Sequence, residues 1–418
     1  MFSTGVRYAA AAAICLLCVP GWAAPSPVLA SVEARDVVKL EAFGRGGASA
    51  DEMRLANGAA LALRRKDAAA IAALTPLAQS GADKNVRSAA YIALSEVYLR
   101  QGRFSDAYAA MKSAQTLSSE PLDKEVLQTM DFAKVLAGQA PMTVTRMTSG
   151  RLDLTHDVAG LARVPVRING QEQDAVIDSG AGFSSLSETA AKRMGVRLLD
   201  EAASVASASK EAVATRIGVA DKLEFGDAML SNVVFIVLPD SALTFAGGLY
   251  KIDAIMGLPV FVALDRIEMA NEAGKYSLYY GPKPGTAPGE ANLLLVGVEP
   301  LVLVNADKAN APLRMFIDTG ALYTTLNSKA VKDYPALGAA AVNAAARWEG
   351  AGGEATDEKA QRVPELTLVV AGRPITVKDI RMESKVVADR HGSIGQDVLK
   401  QGHRWALDFE NMRFTVED

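Results

Sequence analysis

Between about residues 50 and 140, apolar positions recur three and four apart on an alanine-rich background, the spacing of helices that bury one face. The clearest unit is 86–121. There Tyr91, Leu94, Tyr98, Gly102, Phe104, Ala107, Met111, Ala114 and Pro121 fall where two antiparallel helices would meet, with small alanines letting the axes approach and aromatics filling the groove. Residues 51–79 predict a weaker pair of the same kind. Near Pro141 the period changes. Residues 164–168, 233–238, 301–304, 366–370 and 413–416 are short β-branched runs bounded by Gly, Asn, Pro or Asp, and they predict strands. Asn169-Gly170 predicts a two-residue hairpin turn. The stretch 281–289 is rich in Pro and Gly and predicts a linker between two β units.

Those two units repeat one order of features. Ala175-Val176-Ile177-Asp178-Ser179-Gly180-Ala181 is followed by Ile255-Met256-Gly257 and then Ala263-Leu264-Asp265; Met315-Phe316-Ile317-Asp318-Thr319-Gly320-Ala321 is followed by Ser393-Ile394-Gly395 and then Ala406-Leu407-Asp408. The expected organisation is a leader over 1–23, a linker over 24–48, a helical region over 49–140, and β units over 145–285 and 288–418.

Composition narrows the chemistry. A net charge of −4 shows no basic excess, and no dense Lys/Arg cluster is present, which argues against nucleic acid as a partner. The N-terminus has Arg7, twelve apolar residues over 8–19 and small residues at Gly21 and Ala23, the pattern of an export signal cleaved after Ala23, with Ala30 as a second position. A periplasmic or secreted location is therefore expected, without a stable membrane span. Both cysteines, Cys15 and Cys18, fall inside that segment, so thiol chemistry and disulfides would be absent after cleavage.

The two carboxylates, Asp178 and Asp318, are the candidate chemistry. If the fold brings them face to face, their mutual repulsion keeps one protonated and one ionised, which supplies an acid and a base to a single water. The histidines His156, His391 and His403 have no metal-binding spacing, and His391 reads as a surface loop residue. No Gly-x-Ser-x-Gly elbow is present. Neither a cofactor nor a metal is expected.

The doubled Asp-Ser/Thr-Gly-Ala motif, each copy followed about 80 residues later by a hydrophobic-Gly element, resembles the retropepsin and pepsin group of aspartic proteases, and the exported bacterial retropepsin-like members above all. Residues 86–121 resemble a tetratricopeptide helix pair. The first resemblance implies an all-β, two-lobed protease domain following the α-helical region. Asp178 and Asp318 would be catalytic; Ser179, Gly180, Thr319 and Gly320 would lock the catalytic loops; and Gly257 and Gly395 would support them. It implies hairpin flaps, for which Ser207 and Ser209 in the first lobe and Trp348, Gly350 and Gly352 in the second are the candidates. The substrate would be a polypeptide and the active form a monomer with an intrachain dyad, the helical region docking a protein partner. Two alternatives stay open: a non-catalytic peptide-binding protein on the same fold, and a homodimer in which only one aspartate matters.

Overall fold

The structure, a computed structural model, describes residues 26–118, 121–205, 213–283, 289–350 and 353–418. The described chain opens with the helices Pro27–Glu33 (α1), Val37–Phe43 (α2), Ala50–Leu63 (α3), Asp67–Ser80 (α4), Lys84–Arg100 (α5), Phe104–Leu117 (α6) and Lys124–Leu136 (α7). Their starts are set by side chains that satisfy the free N–H groups of the first turn. Ser26 and Asp36 cap α1 and α2, Ser49 and Glu52 form a reciprocal capping box on α3, and Asp83 accepts from the Asn85 and Val86 N–H groups. The pair expected over 86–121 is α5 and α6.

Residues 24–48 are not simply a linker. Val28 and Val32 of α1 and Val37 and Leu40 of α2 are buried together with α3 to α5 and with Leu294 and Leu301 of the β region. Seven-residue helices are unstable alone, so this apolar stripe forms only against the strands it covers.

Six strands of the first β unit, Ala162–Ile168, Gln171–Ile177, Ser184–Ser187, Val213–Phe225, Ala228–Leu238 and Ala254–Met256, close into a barrel. The turn at Asn169-Gly170 has φ of 49° and 82°, the doubly positive pair that a tight hairpin of this twist needs. In the second unit Glu299–Ala306, Leu313–Ile317, Thr325–Asn327, Gln361–Val370, Arg373–Glu383 and Gly392–Ile394 close in the same order. Each strand that ends at a motif aspartate runs parallel to the strand that ends at a hydrophobic-Gly element: Ile177 lies beside Met256, and Ile317 beside Ile394. The linker stretch is outside the described residues at 284–288.

The lobes are also joined by a five-stranded sheet ordered Gly150–Asp153, Lys275–Tyr280, Arg266–Glu272, Arg404–Asp408 and Arg413–Glu417. In it the strand after the first Ala-Leu-Asp pairs with the strand holding the second, Ile267 opposite Leu407. Glu268, 2% exposed, is held there between Arg266 and Arg404.

The helical region grips both lobes. Arg64 donates to the Ala291 carbonyl at 2.7 Å and Arg65 to the Phe409 carbonyl at 2.8 Å, while Phe104, Met111, Phe132 and Leu136 of α6 and α7 pack on Ile217, Val234, Ile236 and Leu238 of the first barrel.

His391 is 0% exposed and not a surface loop residue. Its Nδ1 accepts the Arg314 N–H at 2.9 Å and its Nε2 faces Asp333 Oδ2 at 3.1 Å, so the ring is held neutral with the proton on Nε2. Burial first, and then the charge of Arg314, pull its pKa down to about 4. The unfolded chain therefore takes up this proton first as pH falls below about 6.5, and the stability that the neutral ring contributes is lost between there and about 4. Denaturant titrations at pH 7 and 4.5 should give a wild-type loss from this group on the order of 2 kcal/mol that His391→Gln lacks. Equal pH slopes in the two proteins would show that the ring does not titrate in this window.

Candidate active site

Each motif places its aspartate at the end of a buried strand and turns the chain sharply. The Asp178 N–H donates to the Met256 carbonyl and the Asp318 N–H to the Ile394 carbonyl, both at 3.0 Å, which anchors each aspartate to the neighbouring parallel strand. Asp178 and Asp318 are partly buried as residues, while their neighbours Ser179 and Thr319 are buried. The loops meet across the lobe boundary. Ser179 Oγ donates to the Ile317 carbonyl (2.7 Å) and accepts the Thr319 N–H (3.2 Å); Thr319 Oγ1 donates to the Ile177 carbonyl (2.9 Å) and accepts the Ser179 N–H (2.9 Å). Every buried polar group of the crossing is thereby paired.

The crossing sets the carboxyls against each other. A Cβ at Gly180 would stand 2.7 Å from Asp318 Cγ, and one at Gly320 would stand 2.8 Å from Asp178 Cγ, so glycine alone leaves room for the opposite carboxyl. The carboxyl of each aspartate therefore lies against the backbone of the opposite loop. Both are raised above the ordinary carboxylate range, chiefly by desolvation; for Asp178 the charge of Asp318 adds to it. Asp178 accepts the Gly180 N–H at 2.8 Å and Asp318 the Gly320 and Ala321 N–H groups at 2.9 Å each, bonds that pull against this rise. The carboxyls lie close enough that a proton they retain titrates from the pair as a unit.

Gly257 and Gly395 lie beneath the loops. A Cβ on Gly257 would be 2.6 Å from the Ala181 carbonyl oxygen, and one on Gly395 2.6 Å from the Tyr323 carbonyl carbon. Two supporting hydroxyls escape a reading confined to the motifs: Ser184 Oγ accepts the Gly257 N–H and Thr324 Oγ1 the Gly395 N–H, each at 3.1 Å. The signal that would have found them is a hydroxyl residue at the same distance after each aspartate. Gln396, 5% exposed, adds a bond with no counterpart in the first lobe, donating from Nε2 to the Thr319 carbonyl at 3.0 Å.

Residues 164–260 match the family model described as aspartyl protease. The match spans most of the first barrel, from its first strand through Gly257, and supports a hydrolase of the aspartic protease type on a β-barrel fold. No curated protein matches the chain.

Of the flap candidates, Ser207, Ser209 and Gly352 lie outside the described residues. Trp348 and Gly350 belong to Ala346–Gly350, which pairs with Gly353–Asp357 as a separate two-stranded hairpin, Trp348 opposite Ala355 and Gly350 opposite Gly353. In the first lobe the corresponding hairpin is Arg197–Val205 with Val213–Phe225. The structure brings Asp178, Asp318, Ser179, Thr319 and the four glycines into one site; the second-lobe hairpin stands as a sheet of its own, whereas the first-lobe hairpin extends from the barrel strand Val213–Phe225.

Proposed function

We propose that this chain is an exported aspartic endopeptidase that hydrolyses polypeptides through a water activated by Asp178 and Asp318. The observation that carries the reading is the hydroxyl crossing between Ser179 and Thr319, which sets two carboxyls from different lobes of one chain against each other's loops. In the reaction the ionised Asp318 takes a proton from water as its oxygen attacks the scissile carbonyl carbon, and Asp178 gives its proton to the carbonyl oxygen. The resulting gem-diol collapses: the C–N bond breaks, Asp318 returns its proton to the leaving nitrogen, and a diol hydroxyl returns a proton to Asp178. The leader-like N-terminus supports export, and a dyad completed within one chain supports a monomeric enzyme. The helical region reads as a tetratricopeptide-like stack whose contacts with both lobes support a bracing role; any protein it recruits would dock on the faces left free.

The test is cleavage of unfolded casein across pH. Activity should persist above the ordinary carboxylate range near 4 and fall on the alkaline side as Asp178 loses its proton, because desolvation and Asp318 hold that proton on. Cleavage that is absent at every pH would overturn the reading, as would a rate that keeps rising through alkaline pH.

A further inference from the structure

The dyad is built from two copies of one loop, and a single side chain breaks the copy. After each hydrophobic-Gly element the next backbone N–H donates to the alanine that ends the motif, Leu258 to the Ala181 carbonyl and Gln396 to the Ala321 carbonyl, both at 2.9 Å. The side chains then differ. Leu258, 1% exposed, has nothing to donate, whereas Gln396 sends its Nε2 to the Thr319 carbonyl at 3.0 Å. That bond fixes the amide's orientation, since exchanging its ends would set Oε1 against a second acceptor. Oε1 itself is buried without a partner among the described residues. A buried, unpaired amide oxygen carries a cost that the leucine of the first lobe does not, so packing alone does not account for an amide here.

The place of this bond on the backbone carries its effect to the carboxyl. The Thr319 carbonyl and the Gly320 N–H belong to one peptide group, and that N–H donates to Asp318 Oδ1 at 2.9 Å. Donation to the oxygen end of a peptide polarises it and strengthens its N–H as a donor. The bonds therefore run from Gln396 Nε2 through one peptide to Asp318, and they favour the charged form of that carboxyl. In the first lobe the Gly180 N–H donates to Asp178 Oδ1 at 2.8 Å, but Leu258 gives the Ser179 carbonyl behind it no such bond. The charged groups packed around Gln396 are held elsewhere. Asp397 accepts the Thr324 N–H and Oγ1 and the Val398 N–H, Lys400 Nζ lies by the turn at Gly160, and Arg381 and Glu383 of the strand against this segment pair with each other at 2.9 Å. Across the crossing, the group that faces Asp318 is Asp178.

We infer that Gln396 is a positioning residue that breaks the equivalence of the dyad, acting through the Thr319–Gly320 peptide to make Asp318 the member that ionises first and Asp178 the one that keeps the proton. The base is thus assigned to the second lobe by a side chain one peptide group removed from the carboxyl. Its consequence for catalysis rests on the proposed peptidase activity: with the acid fixed as Asp178, the scissile carbonyl oxygen must face the first lobe's carboxyl.

Two measurements on the full chain test it: the pH profile of kcat/KM on unfolded casein, and carbon NMR titration of isotope-labelled aspartate carboxyls, each signal assigned by its loss in Asp178→Asn or Asp318→Asn. In wild type the Asp318 signal should be the first of the pair to ionise as pH rises. Gln396→Leu, which puts the first lobe's residue in the second, should move that ionisation and the acidic limb of kcat/KM upward by about half a pH unit, leaving the alkaline limb and the thermal midpoint in place. Gln396→Glu should behave as wild type while its own carboxyl is protonated and can donate, and lose rate as that carboxyl ionises. A purely structural role would lower the rate or the midpoint and move neither limb. An Asp318 titration unmoved by Gln396→Leu overturns the inference, as does Asp178 ionising first in wild type; both leave the peptidase reading intact. If wild type cleaves nothing while the Asp318 titration still moves in Gln396→Leu, the inference stands and the peptidase reading falls.

Discussion

Asp178→Asn and Asp318→Asn should each reduce casein cleavage by roughly a thousandfold or more, because each removes a proton carrier that the other cannot replace. Stability should be kept or raised. The two carboxyls are desolvated against each other, and an amide in either place removes a like-charge conflict from the site. Activity lost with the thermal midpoint preserved is therefore the signature of the dyad, measured by hydrolysis rate and by thermal denaturation on the same preparations. Full activity in either variant would mean that one aspartate suffices, the outcome expected of a homodimeric site built from one lobe.

The second large effect is on stability. Ser179→Ala deletes two hydrogen bonds at once and leaves the Thr319 N–H and the Ile317 carbonyl without partners in a site where Ser179 is 0% and Thr319 4% exposed. Stranding buried polar groups costs about 1–3 kcal/mol each, so a loss of about 3 kcal/mol is expected in urea unfolding. Thr319→Val should do the same from the other side. Combined, the two substitutions should cost less than the sum of the singles, since they break one shared network. Additive losses would show that the hydroxyls act separately and that the crossing is not a unit.

The dyad was legible because its chemistry is local: an apolar strand, a carboxylate, a hydroxyl residue and a glycine, written twice. The barrels followed from runs such as 164–168 and from the repeated order of features around them. What escaped the sequence depends on surfaces formed at a distance. Val28 and Leu40 look like scattered apolar residues until Leu294 and Leu301 give them something to cover. His391 carries no local sign of burial, because its Nδ1 is satisfied by the backbone of Arg314, far back in the chain. The leader, Ser207, Ser209 and Gly352 fall outside the described residues. The covered end of the first lobe was hidden too, since the apolar face of Ile236 and Leu238 reads as ordinary strand core until α6 and α7 are seen to lie on it.

The five-stranded sheet between the lobes sets a schedule for the molecule. Its middle strand, Arg266–Glu272, pairs with Arg404–Asp408, and that strand pairs in turn with Arg413–Glu417, both of them well beyond Asp318 in the chain. Both aspartates are therefore made long before the framework that aligns them is finished. A chain caught part-way through synthesis can hold both carboxylates and still lack the clasp between the lobes, so the proposed hydrolysis would wait for strands made after both motifs.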